Sequence, residues 1–146
     1  MILLDTNVVS EPLRSEPDPA VAAWLDAQTL ETLYLSAVTV AEMRLGVALI
    51  PAGRRRTALS DRIERRVLPS FAGRVLPFDL ACTHPYADVR ATARAHGVAL
   101  AHADGFIAAV AATHGLIVAT RDTTPFEAAG LPVINPWGAP GSQRSS

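Results

Sequence analysis

Four carboxylates stand in this chain where apolar runs give way to polar ones. Met1-Ile2-Leu3-Leu4 breaks off at Asp5-Thr6-Asn7, and Leu116-Ile117-Val118-Ala119 breaks off at Thr120-Arg121-Asp122. Between them, Glu42 opens the helical stretch that follows Leu33-Tyr34-Leu35-Ser36, and Asp104 lies at the start of the alanine-rich stretch from Ala103 to His114. Taken singly, each has a plain structural use. Asp5 and Asp122 suit a helix N-cap, Glu42 closes Thr39-Val40-Ala41-Glu42 as a capping box would, and Asp104 suits the positive end of a helix dipole. Taken together they point to chemistry. Four acids gathered with only Arg44 and Arg121 as basic neighbours repel one another, and such a cluster is costly unless cations compensate it. Oxygen donors alone suit hard divalent ions such as Mg²⁺ or Mn²⁺.

What must gather them is a parallel sheet. Short apolar runs bounded by turn formers read as strands buried on both faces. The runs at 1–4, 33–36, 74–77, 116–119 and 131–134 alternate with amphipathic stretches, which indicates helices on both faces of the sheet. Asp18-Pro19 starts a helix that runs to about Gln28, and another begins at Thr39 and stops before Pro51-Ala52-Gly53. A long amphipathic helix spans Arg54 to Leu68 and is ended by Pro69; a further helix spans Pro85 to His96, closed by Gly97. Thr124-Pro125-Phe126-Glu127 opens a last short helix as a capping box, and Pro132 marks the fifth strand as an edge. In such a sheet the strand ends and the helix starts that follow them share one rim, where ligands bind. All four acids are assigned to that rim.

Composition limits the alternatives. A chain of 146 residues with 49% hydrophobic and 5% aromatic residues makes about one domain with an aliphatic core. Its net charge of −1 gives no overall attraction to polyanions, so contact with nucleic acid must come from metal ions or a local patch. One cysteine, Cys82, excludes an internal disulfide framework, suits a cytoplasmic protein and reads as a small buried hydrophobe. No run approaches the length of a membrane span, and no signal peptide is evident. The arginines between Arg54 and Arg66 are read as the solvated face of their helix. His84, His96, His102 and His114 lack paired ligand spacing and are read as surface or capping residues.

Asp5-Thr6-Asn7, Thr39-Val40-Ala41-Glu42, the Ala103 to Ala109 run and Ala119-Thr120-Arg121-Asp122 occur in the order that resembles a PIN-domain ribonuclease, closest to the VapC/FitB toxins of type II toxin–antitoxin pairs. Gly73 to Phe78 and Ile134-Asn135-Pro136-Trp137 resemble the FitB-like branch. The resemblance covers residues 1–137, the PIN domain, and leaves 138–146 as a flexible tail. It implies a three-layer α/β/α fold around a mainly parallel five-stranded sheet. It also implies an Mg²⁺- or Mn²⁺-dependent endoribonuclease in which Asp5, Glu42, Asp104 and Asp122 hold the metal while Thr6, Asn7 and Thr120 steady them. The partners it implies are an RNA substrate, a DNA-binding antitoxin on the helices of 7–28 and 39–68, and a second copy in a homodimer, with no membrane.

The alternative of another class is a catalytically silent module of the same fold, whose acidic pocket holds a partner protein's arginine; the presence of all four acids favours the enzyme. A response-regulator-like domain would need a lysine on a late strand, and the chain contains no lysine.

Overall fold

The computed structural model describes residues 1–138; the tail expected over 138–146 lies outside these apart from Gly138. Five strands form one sheet: β1 (Ile2–Leu4), β2 (Leu33–Ser36), β3 (Val75–Leu76), β4 (Ile117–Ala119) and β5 (Val133–Ile134). Their order is β3-β2-β1-β4-β5, and all four pairings are parallel. β1 is central, with Leu3 opposite Tyr34 on one side and Val118 on the other. The edges are two-residue strands, too short to recruit a foreign strand readily. Pro132, which has no N–H to give a ladder, stands just ahead of edge strand β5.

Side chains alternate across a strand, and here the alternation divides the interior into two cores. Leu3 and Val118 face the first, packed against α6 (Leu80–Ala95), α7 (His102–His114) and α8 (Thr123–Ala128) through Val89, Ile107 and Phe126. Ile2, Leu4, Leu33 and Leu35 face the second. That side is closed by α1 (Thr6–Ser10), α2 (Pro19–Asp26), α3 (Ala37–Ala48) and the run from Arg54 to Ser70. Ala108 to Ala111 are fully buried, so alanine lets α7 approach the sheet closely on one side and its neighbour helices on the other.

Several boundaries differ from expectation for physical reasons. α3 starts at Ala37, because the Ser36 hydroxyl accepts from the Val38 N–H at 3.0 Å and is the true N-cap. Glu42 is therefore the sixth helical residue, two positions deeper than expected. The Arg54–Ser70 run does not end at Pro69: α4 (Arg54–Arg62) passes into a π-turn over Ile63–Val67 and then α5 (Leu68–Ser70). A proline ring collides with the carbonyl four residues back in an α-helix, and the wide turn lies directly ahead of it. α6 starts at Leu80 and carries Pro85 inside, where the lost bond is one of many; the Thr83 hydroxyl donates to the Leu80 carbonyl at 2.6 Å nearby. Pro12 sits within a 3₁₀ turn, Glu11–Leu13, that follows α1 directly. α8 begins at Thr123, so the Thr124–Glu127 capping box is not formed.

Candidate metal centre

The strand order reverses between β1 and β4, since the chain crosses from β1 to β2 on one side and reaches β4 on the other. A doubly wound sheet opens its ligand crevice at that point, beyond the carboxyl ends of the two strands. Asp5 is the residue after β1 and Thr120 the residue after β4. The Asp5 N–H donates to the Ala119 carbonyl at 2.9 Å, which fixes the two strand ends together. The Thr120 hydroxyl, wholly buried, donates to Asp5 Oδ2 at 2.8 Å, and Asp5 Oδ1 accepts from the Thr6 N–H at 2.8 Å. Asp5 is therefore a helix cap and a wall of the crevice at once.

The supporting residues of the sequence reading all touch this frame. Asn7 Nδ2 lies 3.5 Å from Asp5 Oδ2, and Asn7 Oδ1 accepts from the Arg121 N–H at 3.3 Å. Thr120 Oγ1 also accepts from the Asp122 N–H at 3.0 Å, which places Asp122 at the N-cap position of α8 with its own carboxylate capping nothing. Thr6 Oγ1 is 2.6 Å from Glu42 Oε1 and 3.2 Å from Thr39 Oγ1. A hydroxyl has one proton; given to the Glu42 carboxylate, it leaves Thr6 oxygen to accept from Thr39. Thr39 is fully buried and belongs to the site's support, a role that the capping-box reading hid. The spacing held the signal, because residues three apart share a helix face.

The charges of the four acids act on one another across the crevice. Asp5 is only 5% exposed, and burial pushes its carboxyl up to about 6; the Thr120 and Thr6 hydrogen bonds work against this, and the charges of Asp104 and Glu42 add to it. Asp104 is raised as well, by burial first and then by Asp122 and Glu42. Among the described residues none of the four makes an ion pair. This is a site of unbalanced negative charge built from hard oxygen donors, which fits a hard divalent cation. Among the described residues, however, no three acidic, histidine or cysteine side chains are grouped to hold an ion by themselves. Mg²⁺ takes one or two carboxylates and keeps several waters, so the donor set fits it with water completing the shell, and a closed four-carboxylate cage is not what the side chains form.

Two of the histidines have partners of their own: His96 Nδ1 lies 2.9 Å from the Thr92 carbonyl, and His102 Nδ1 lies 3.3 Å from Arg90 Nη1. Trp137 packs against the second core, and the Arg121 guanidinium sits 5.2 Å from its ring centroid.

The PIN domain family matches residues 2–131. "VapC ribonuclease Y4jK" of Sinorhizobium fredii is 62% identical over 94% of this chain and 98% of its own length. "Toxin FitB" of Neisseria gonorrhoeae is 57% identical over 94% and 99%. The solved structure of FitAB bound to an IR36 DNA fragment superposes with a TM-score of 0.92 at 56% identity, covering 95% of this chain and 97% of that one. With its Asp5-bearing β1 beside β4, its all-parallel sheet and kinship along nearly its whole length, the chain belongs to the PIN-domain family, on the VapC/FitB branch.

Proposed function

We propose that this chain is a divalent-metal-dependent endoribonuclease, the toxin of a type II toxin–antitoxin pair. The observation that supports the reading is Asp5 at the β1/β4 crevice, with Glu42 tied to its neighbour Thr6 and with the charges of Glu42, Asp104 and Asp122 adding to the raised carboxyls of Asp5 and Asp104. Kinship with a VapC ribonuclease and with toxin FitB supports it.

Asp5 and Asp104 would hold the ion, with Asp122 and Glu42 contributing to a second position. When bound, Mg²⁺ or Mn²⁺ supplies Lewis acidity, shielding the phosphodiester's charge and acidifying nearby water. The chain's own groups prepare this. Thr120 and the Thr6 N–H fix both Asp5 oxygens, so the carboxylate is oriented before substrate arrives, and the Thr6 hydroxyl pins Glu42. Buried hydrogen bonds to a charged acceptor preorganise it and lower the reorganisation the reaction would otherwise require. Family likeness gives 5′-phosphate and 3′-hydroxyl products.

The antitoxin reading rests on the relative solved as FitAB on DNA and on a groove of about 360 Å³ here. Leu13, Leu25, Val67 and Phe71 line it, between α1, α2 and the Arg54–Ser70 run. An amphipathic segment of a small DNA-binding partner would bury its apolar side there. Expression of the chain with its neighbouring reading frame should yield a co-purifying small protein. A groove variant, Leu25→Glu, that retains the partner fully would count against this surface.

The enzyme reading is tested by incubating the purified chain with total RNA in Mg²⁺ or Mn²⁺ and in excess EDTA. Asp5→Asn and Asp104→Asn are expected to lose at least about 100-fold in rate, and EDTA to abolish cutting. Metal-independent cutting, or cutting that survives both substitutions, would overturn the carboxylate metal site, and no cutting of total RNA would favour a silent module that uses the acidic pocket to bind a partner.

A further inference from the structure

A groove of about 670 Å³ lies along the second half of α6, lined by Arg90, Arg94 and the chain from Gly97 to Leu100. No acid lines it, and among the described residues neither arginine makes an ion pair. Two arginines of the Arg54–Ser70 run are engaged by the protein itself: Arg65 faces Asp61 at 3.8 Å and Arg62 donates to the Pro12 carbonyl.

Arg90 is also held in place. Its guanidinium carbon lies 5.5 Å from the Tyr86 ring centroid, and Nη1 donates to the Tyr86 hydroxyl at 3.0 Å and faces His102 Nδ1 at 3.3 Å. Tyr86 in turn is stacked on Phe106, with ring centroids 4.9 Å apart and planes at 24°. These contacts occupy Nη1 and leave the Nε–Nη2 edge without a protein partner among the described residues. That edge is the fork that matches a phosphate bidentately. The contacts also locate it. His102 and Gly105 flank Asp104 in the first turn of α7, and a Cβ on Gly105 would stand 3.5 Å from Arg90 Cδ, so Arg90 packs on the very turn that carries Asp104.

We propose that Arg90 and Arg94 form a phosphate track for the RNA strand, with Arg90 as a fixed anchor packed on the α7 turn that carries Asp104 and Arg94 one turn further along α6. The proposal rests on the ribonuclease reading for its ligand. It accounts for how a chain of net charge −1, acidic at its centre, receives a polyanion: the strand is gripped next to the acids rather than drawn by the whole molecule.

The test uses the full chain and a fluorescein-labelled single-stranded RNA. Binding is read by anisotropy in EDTA across a salt series, and cleavage is read in Mg²⁺. Arg90→Gln and Arg94→Gln should each weaken binding about ten-fold and lower the salt slope by about 0.7, the value for one phosphate contact on a single strand. In cleavage they should raise KM more than they lower kcat. Arg90→Lys keeps the charge but lacks the fork and should stay several-fold weak, whereas Arg65→Gln should bind as the parent does. Should Arg90→Gln unfold, exposed Arg94 still decides the matter. Parent-like affinity and salt slope in both variants would overturn the track, and if cutting persisted the nuclease reading would stand without it. RNA held through both arginines but never cut would support the track and remove the nuclease reading. Loss of a co-purified protein with RNA binding unchanged would overturn the track in favour of a protein surface.

Discussion

Asp5 carries a thermodynamic signature of its role. Its carboxyl is raised from 3.8 to about 6, so the folded chain holds a proton that the unfolded chain releases first. That contribution is fully present below about pH 4 and is lost as pH rises through about 6, a shift of roughly two units or about 3 kcal/mol. In EDTA, the melting temperature of the parent should therefore fall between pH 4 and 7 relative to that of Asp5→Asn, in which the group cannot ionise. An identical pH dependence of the two proteins would sink the account. The acids were legible in the sequence because each closes an apolar run or opens a helix. The hydroxyls that orient them were less so: Thr120 and Thr6 followed the family pattern, but Thr39 was masked by a plausible cap; Arg90 was hidden by the 14 positions that separate it from Asp104.

At the scale of elements, α6 and α7 pack most tightly around Gly105. A Cβ there would stand 3.2 Å from Tyr86 Cε1, and half-buried Tyr86 is braced by Phe106 on one side and edge-on by Phe78 on the other. Gly105→Ala gains up to about 1 kcal/mol of helix propensity but loses about 1–3 kcal/mol to overpacking. The net expectation is a lower melting temperature together with weaker Arg90-dependent RNA binding; a variant melting above the parent would refute it. Periodicity located every strand and every long helix. It misjudged boundaries where a side chain or a helix variant took over: the Ser36 cap moved α3 two residues forward, and the π-turn carried a helix through Pro69. Apolar spacing does not encode either device.

For the molecule as a whole, the proposed metal site would couple metal to fold. Ligand that binds only the folded state stabilises it by RT ln(1 + [L]/Kd), about 2.7 kcal/mol at one hundred times Kd. Mg²⁺ or Mn²⁺ at pH 8 should thus raise the melting temperature of the parent and leave Asp5→Asn unmoved. The gain should shrink as pH falls through about 6, where Asp5 takes up its proton. Equal shifts in both proteins would place the ion elsewhere. No helix among the described residues is long and apolar enough to cross a membrane. The sheet order was beyond reach of the sequence, since parallel alternation permits several orders and only packing chooses β4 as the neighbour of β1.

That pairing has a consequence for how the chain comes into being. Asp5 is made almost first, yet the hydroxyl that orients it belongs to Thr120, 115 positions later, and β1 lacks its second neighbour until β4 is made. A chain emerging from the ribosome cannot assemble the crevice from its earlier part, because contacts this distant in sequence form only once both partners are free. A copy that stops short of β4 therefore lacks both the hydroxyl that orients Asp5 and the strand that completes the pairing of β1.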